Sequence, residues 1–390
     1  MLLKNLPVYI ERCTEYDEKM IEALLQSAFL NLGFEEKIRG KRVVIKPNLV
    51  RKMDPEKGGT THPVMLRALI CLLFKLNAGS VTVAESPGGV YNPTALGSIY
   101  GGCGIASAAK EAGAELNYDC SYGELCYPEG KKVRSFQIIS PVLQADTVID
   151  LCKLKSHGML TVSAGAKNLF GTIPGVLKFE MHARFPDSTD FSDMLADLNG
   201  ALYSGKEIIC ICDGIVGMEG NGPTSGLPRR MDVVLVSANT FNLDLAAEAI
   251  LGLKAHSALL SRGIERGWCP DDWQALSYPC QRPEELAVKD FLLPDSERKS
   301  TLQRVLSVRG GALARFFEPR PVIGRDCKGC LECVRSCPQG TIGVRTLKNG
   351  RKKAKIDPEK CIKCYCCQEL CPFGCVEIVK NPLIALANRM

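Results

Sequence analysis

Along the first 320 residues, short apolar runs alternate with longer stretches whose apolar positions recur every three to four residues. The short runs read as strands: Val8–Ile10, Arg42–Lys46, Ser80–Ala84, Thr147–Leu151, Glu207–Cys212 and Asp232–Val236. The periodic stretches read as helices over Asp17–Leu32, Pro63–Asn77, Ala106–Ala112, Phe191–Tyr203 and Asn242–Leu251. Gly33, Gly79 and Gly113 follow three of these helices and Pro63 opens one, as helix punctuation requires. Strands alternating with helices imply crossover connections, hence an α/β fold with a mostly parallel, Rossmann-like sheet over residues 1–253. Residues 254–319, with Trp268-Cys-Pro-Asp-Asp-Trp273 and several prolines, read as an irregular cover or connector of the same domain. Gly310-Gly311 and Glu318-Pro-Arg-Pro321 mark a boundary.

Beyond that boundary the chain turns to cysteine, glycine and basic residues. Cysteine makes up 20 of the 390 residues, and ten of the 20 lie between Cys327 and Cys375. The rest is ordinary, 46% hydrophobic and 24% charged, which excludes a disordered chain. The N-terminus has no signal-peptide core. The longest apolar run, Val64 to Leu76, carries Arg67 and Lys75 and falls short of the ~20 residues a membrane span needs. A cytoplasmic protein without a membrane segment is expected, and there clustered thiols bind metal rather than form disulfides.

Two runs, Cys327-x2-Cys330-x2-Cys333-x3-Cys337-Pro338 and Cys361-x2-Cys364-x2-Cys367-x3-Cys371-Pro372, repeat with a period of 34 residues. Three thiolates two residues apart wrap one face of a cubane, and the fourth cysteine points away to ligate the other cluster. The expected cofactors are therefore two 4Fe–4S clusters. Cys327, Cys330, Cys333 and Cys371 would hold one, and Cys361, Cys364, Cys367 and Cys337 the other. A zinc ribbon would use two CxxC pairs instead. Residues 320–380 thus resemble a small α+β two-cluster ferredoxin of the bacterial type, followed by a tail over 381–390. Gly329, Gly340 and Gly374 allow backbone N–H groups near the sulfurs. Cys366 and Cys375 are expected to be bystanders. The other ten cysteines lack metal-site spacing and are expected to be mostly core thiols, with Cys210 and Cys212 on opposite faces of their strand.

The clusters also change the reading of charge. Of the net +6, residues 320–390 contribute +8 and residues 1–319 contribute −2. Such a tail suggests nucleic acid. Eight thiolates around two cationic cores offset it by roughly −4, so neither nucleic acid nor membrane is expected as a partner.

Candidate chemistry in the large domain gathers at strand ends. Lys153, Lys155 and His157 precede Gly165-Ala-Lys167-Asn168-Leu-Phe-Gly171, followed by Pro174-Gly175, Lys178 and His182. Lysines packed among histidines and glycines read as a lined cleft, in which neighbouring cations lower one another's pKa and suit Lys167 to acid–base or covalent use. Asp213-Gly-Ile-Val-Gly-Met-Glu-Gly-Asn-Gly-Pro223 is expected to be a loop at the carboxyl end of its strand, where α/β sheets bind ligands. In it Asp213 and Glu219 offer carboxylates, and Gly217, Gly220 and Gly222 offer close backbone approach. Glu85-Ser-Pro-Gly-Gly89 and Lys46-Pro47-Asn48 are further loops at the same edge. Neither a Walker loop nor GxGxxG is present, so ATP and NAD are not indicated. His157, Lys167, Asp213 and Glu219 are the candidate catalytic residues. Lys153, Lys155, Asn168, His182, Gly217, Gly220 and Gly222 are the candidates for binding a cofactor or substrate.

Taken together, Val43-Val-Ile-Lys-Pro-Asn48, Thr61-His-Pro63, Ala84-Glu-Ser86, Lys167-Asn-Leu-Phe-Gly171 and Asp213-Gly-Ile-Val-Gly-Met-Glu-Gly220 resemble the iron–sulfur proteins of domain of unknown function 362, over roughly residues 6–310. A second stretch, His157-x9-Lys167-x14-His182, is similar to nickel-pincer lactate racemases. That similarity implies Lys167 as a cofactor tether, His182 as a nickel ligand and His157 as an acid–base, although the family's substrate-binding arginine motif has no counterpart here. The leading expectation is a redox protein whose clusters pass electrons to a site in the α/β domain, for reduction of a small anionic substrate or of a further, unidentified cofactor or metal. The alternatives are a non-enzymatic carrier docking an electron donor or acceptor protein, and a pincer-type isomerase.

Overall fold

The computed structural model describes residues 4–297, 319–347 and 350–379. In the large module the strands are β1 (Val8–Arg12), β2 (Arg42–Pro47), β3 (Ser80–Val83), β4 (Glu115–Leu116), β5 (Tyr122–Cys126), β6 (Ser135–Ile139), β7 (Thr147–His157), β8 (Thr161–Ser163), β9 (Glu207–Glu219) and β10 (Leu227–Ser237). All but β5 and β6, a separate hairpin, form one sheet of order β1-β10-β9-β7-β2-β3-β4, with β8 paired to β7. Neighbours from β9 through β4 run parallel, while β1 and β10 make an antiparallel edge. The expected α/β architecture is what the chain adopts.

Helices cover both faces: α1 (Glu18–Leu32), α2 (Pro63–Lys75), α3 (Pro93–Gly102), α4 (Ile105–Ala112), α5 (Ser140–Gln144), α6 (Gly165–Asn168), α7 (Leu177–Arg184), α8 (Ser188–Gly205), α9 (Thr240–Ile250) and α10 (Ala258–Glu265). Strand alternation divides the interior into two cores. Val43, Ile45, Ile149, Leu151, Ile209 and Ile211 pack under α1, α2 and α4. Val44, Val148, Cys152, Cys210 and Cys212 pack under α8 and α9. Strands buried on both faces read as unbroken apolar runs, which is why they were legible. Asp17 caps α1 by accepting from Met20 N, and Gly33 closes it at φ 66°.

Two expectations are corrected. The Asp213–Pro223 segment is not a loop from its start: β9 continues to Glu219 and pairs with β10 down to Leu227. Its glycines serve close strand packing, since a Cβ on Gly214 would lie 2.9 Å from Val233 O and one on Gly217 2.1 Å from Leu154 O. Likewise Cys210 and Cys212 do not diverge. Residues two apart in a strand return to the same face, and both thiols enter the core beneath α8 and α9. The helix α3 and the β5–β6 hairpin were not anticipated. Leu259, Leu260, Cys269, Leu276 and Leu286 complete that same core, so residues 254–297 cover one face. Gly310-Gly311, Glu318 and the tail over 381–390 lie outside the described residues.

The small module pairs β11 (Arg320–Ile323) with β14 (Val376–Val379) and β12 (Ile342–Thr346) with β13 (Lys352–Ile356), and carries α11 (Glu332–Arg335) and α12 (Cys366–Glu369). The sequence repeat is also a backbone repeat. Gly329 and Lys363 are left-handed at φ 73° and 56°, Leu331 and Tyr365 at 64° and 61°, and Gly340 and Gly374 at 60° and 62°.

Candidate functional site

In the small module Cys337, Cys361, Cys364 and Cys367 line one cavity together with the apolar Pro321, Ile342 and Ile356. On the other side Cys333 lies in the field of Cys371, Cys327 and Cys330. The thiols are therefore brought together in the crossed grouping. Backbone N–H groups point at sulfur: Thr341 N lies 3.4 Å from Cys337 Sγ and Cys375 N 3.2 Å from Cys371 Sγ. Thiol-only donor sets in apolar cavities, with amide donors to sulfur, suit 4Fe–4S clusters.

The small module docks on the large one through α12 and its flanks. Thr224 Oγ1 donates to Glu369 O at 3.1 Å, Gln368 Nε2 to Asn221 O at 3.3 Å, and Arg51 Nη1 to Pro372 O at 3.4 Å. Tyr365 is buried in the large module's core. A Cβ on Gly88 would lie 2.8 Å from a Leu370 methyl, so the modules are in close contact here.

Between the modules lies a small, partly open chamber of about 60 Å³. Its floor is the carboxyl edge of the sheet, where β3 and β7 leave β2 in opposite directions; ligands bind at such switch points. From β2 come Lys46 and Asn48, from the β3 loop Glu85, Ser86 and Gly88, from α6 Lys167 and Asn168, and from α7 Lys178 and His182. Cys366, Glu369 and Leu370 of the small module form the roof. Lys46 Nζ donates to Glu85 Oε2 and Asn168 Oδ1, both at 2.9 Å, in an ion pair only 2–3% exposed. Lys155 Nζ, behind this wall, donates to Asn48 Oδ1 and Gly59 O, each at 2.6 Å. Gly171 keeps the pair uncrowded, since a Cβ there would sit 2.4 Å from Glu85 Oε1.

Lys167 and Lys178 face the chamber without a carboxylate hydrogen-bond partner. Lys178 donates to Ser86 O and Pro87 O, and burial pulls its pKa down to about 7. Lys167 lies 5.1 Å from the Phe170 ring centroid, and burial lowers its pKa too. His182 stacks on Phe191 at 4.3 Å, and burial, reinforced by the Lys167 charge, lowers its pKa to about 3. Its Nδ1 is buried without a hydrogen-bond partner. Two lysines without a carboxylate hydrogen-bond partner and a neutral imidazole, against the paired Glu85 and the roof's Glu369, make an anion-seeking cavity.

The other candidates are elsewhere. His157 is buried behind α12: its Nδ1 accepts from Met159 N and Leu160 N, and its Nε2 faces Glu369 Oε1 at 3.4 Å. Burial holds His157 well below its ordinary value and raises Glu369, so the imidazole is neutral and the contact is not an ion pair. Lys153 and Asp213 form a fully buried pair at 2.7 Å, closed by Tyr16, which accepts from Lys153 Nζ and donates to Asp213 Oδ1. Glu219 accepts from Leu292 N at the far end of β9, and Gly217 packs on Leu154. Gly220 and Gly222 shape the turn that presents Asn221 to Gln368. Asp213, Glu219 and Lys153 are thus not at the chamber. Lys46, Asn48, Glu85, Lys178, Cys366 and Glu369 were missed as site residues, although four of them sit in strand-end loops or the basic stretch already singled out. Glu369 carried a signal too, as an acid set among the cluster cysteines.

Residues 43–249, just over half of the chain, match the family described as Domain of unknown function (DUF362). The chain belongs to that family. Residues 326–375 match the 4Fe–4S dicluster domain, so this DUF362 protein carries a ferredoxin-type iron–sulfur module of the electron-transfer kind. It is 29% identical over 66% of its length to the thylakoid-associated protein sll1697 of Synechocystis, covering 77% of that protein. Its small module is 42% identical to part of the polyferredoxin protein MvhB of Methanothermus fervidus, covering 16% of this chain and 17% of that one. The same module is 35% identical to the uncharacterized ferredoxin MJ0199 of Methanocaldococcus jannaschii, covering 13% of this chain and 81% of that one. No solved structure matches. Among the described residues no helix is long and apolar enough to cross a membrane.

Proposed function

We infer that this DUF362 protein is an iron–sulfur oxidoreductase whose chamber takes a small anionic substrate or cofactor for reduction. One observation carries the reading: α12, which holds Cys367 and is flanked by Cys364 and Cys371, is also the chamber's roof through Cys366 and Glu369. Bound to the eight cysteines of the repeat, 4Fe–4S clusters supply electrons one at a time. The large module does the rest. Lys167 and Lys178 attract the anion, His182 offers Nδ1 as a hydrogen-bonding group, and Phe170 and Leu370 exclude water from it. With a pKa of about 7, Lys178 is suited to donate the proton that a reduced substrate needs. The exposed Cys330 marks the side on which an electron donor or acceptor protein reaches the clusters. Free thiols throughout favour a reducing compartment, cytoplasmic in this reading.

The test uses the anaerobically purified full chain. Iron should be ~8 per chain, four per cluster, and Cys371→Ala should disturb the cluster otherwise held by Cys327, Cys330 and Cys333. Oxalate or malonate should alter the electron paramagnetic resonance spectrum of the reduced clusters, guanidinium should not, and Lys167→Met should abolish the response with iron unchanged. If neither anion alters the spectrum and native mass shows no bound small molecule, the chamber is not a substrate site.

A further inference from the structure

Below the chamber floor, on the face covered by α8 and α9, β7 and β9 set four polarisable side chains in a rectangle. The parallel register pairs Asp150 with Cys210 and Cys152 with Cys212. Alternation sends all four to one side. Each is 0% exposed. The ligand atoms of Asp150, Cys152 and Cys210 all lie within 4.8 Å of one another. Cys210 Sγ is 3.3 Å from Asp150 Oδ2, and the Cys152 thiol is in hydrogen-bond contact with both Cys210 and Cys212. An apolar core has no use for a carboxyl group here, and around it the strands otherwise bury valine, leucine and isoleucine.

We propose that Asp150, Cys152 and Cys210, whose ligand atoms already converge, form with Cys212, which reaches the group through Cys152, a metal site separate from the cubane cysteines, taking one thiophilic divalent ion, zinc by first choice. Three sulfurs and one carboxylate oxygen are a tetrahedral donor set. With Zn–S about 2.3 Å and Zn–O about 2.0 Å, the S···O edge of the tetrahedron is about 3.5 Å, close to the 3.3 Å found. The outer contacts are those a ligand needs. Asn168 Nδ2 holds Asp150 Oδ1 at 2.7 Å and leaves Oδ2 turned to the thiols. Gly165 makes room for sulfur, because a Cβ there would lie 2.5 Å from Cys210 Sγ. Four anionic ligands around a divalent ion leave a net negative site, and it lies one residue, Asn168, from Lys46 in a chamber wall rich in cations. This proposal stands apart from the chamber's substrate.

The experiment is elemental analysis and zinc-edge X-ray absorption on the anaerobically purified holoprotein grown with added zinc. One zinc per chain is expected beyond the cluster iron, with about three sulfurs at 2.3 Å and one lighter atom near 2.0 Å. A Cys152→Ala, Cys210→Ala double variant should lose that zinc and keep its iron, while Cys13→Ala should keep both. No zinc in the wild-type protein, a shell of four sulfurs, or zinc retained by the double variant with iron at the wild-type level would overturn the proposal. The wild-type absorption spectrum decides the question even if the double variant fails to fold.

Discussion

Two groups of buried charge stand a few residues apart at the carboxyl edge of the same sheet, and they are built on opposite principles. In the closed group Lys153 meets Asp213 at 2.7 Å, Tyr16 bridges both, and His62 stacks on Tyr16 at 3.6 Å and donates its backbone N–H to Asp213. No cavity separates these partners. In the open group only Lys46 has a carboxylate, while Lys167 and Lys178 face a chamber with lowered pKa and His182 leaves Nδ1 unsatisfied. Buried charges that are mutually satisfied hold a fold together. Those left wanting a partner mark where one is to arrive.

The largest effect is expected in the closed group. Asp213→Ala leaves the Lys153 ammonium buried without a counter-charge, which costs about 3–5 kcal/mol. Chemical denaturation should show the loss, with cluster iron unchanged. In the open group the reverse holds: Lys167→Met removes a buried amine that has no carboxylate hydrogen-bond partner, and stability should hold or rise while the anion response disappears. Equal losses from the two variants would mean that the chamber lysines are structural as well.

Next comes pH. The folded state holds Lys178 at about 7, and burial is the cause. The unfolded chain keeps its lysine near 10.4, so between those values it binds the extra proton. Stability therefore rises with pH across that window, by about 1.4 kcal/mol per unit while the two states differ by one full proton. Lys178→Met should flatten this slope. His182, held at about 3, gives the same sign at lower pH: stability falls as pH drops from 6.5 toward 3, and His182→Phe should reduce that fall.

The comparison also shows what the sequence could reveal. The 4Fe–4S module was legible because its cysteine spacing repeats, and the backbone repeats with the cysteines. The chamber was half legible. Lys167, Asn168 and His182 stood out by composition, but Lys46 and Glu85 meet only because β2 and β3 are neighbours, a pairing that no local pattern encodes. Asp213 misled for a physical reason. A carboxylate among glycines resembles a ligand loop, whereas these glycines let β9 lie close to Leu154 and Val233 and close the pair with Lys153.

A smaller loss, about 1–3 kcal/mol, is expected for Gly171→Ala, whose methyl would overpack the Lys46–Glu85 pair. Anion binding should weaken with it, because that pair forms part of the chamber wall.

The smallest effect is expected at the rim of the closed group. His62 Nε2 lies 3.1 Å from Glu56 Oε1, which resembles an ion pair. Burial lowers the His62 pKa, and the Glu56 hydrogen bond opposes that shift without reversing it, so the imidazole is neutral at pH 7. Glu56 itself is 74% exposed. A neutral ring facing a solvated carboxylate is a surface hydrogen bond, and such contacts contribute from nothing to about 1 kcal/mol. Glu56→Gln preserves an acceptor for His62 and should shift the denaturation midpoint only marginally, at low and high salt alike. A salt-dependent loss comparable to that of Asp213→Ala would show that His62 is charged, that the closed group extends to the surface, and that its contrast with the chamber has been drawn too sharply.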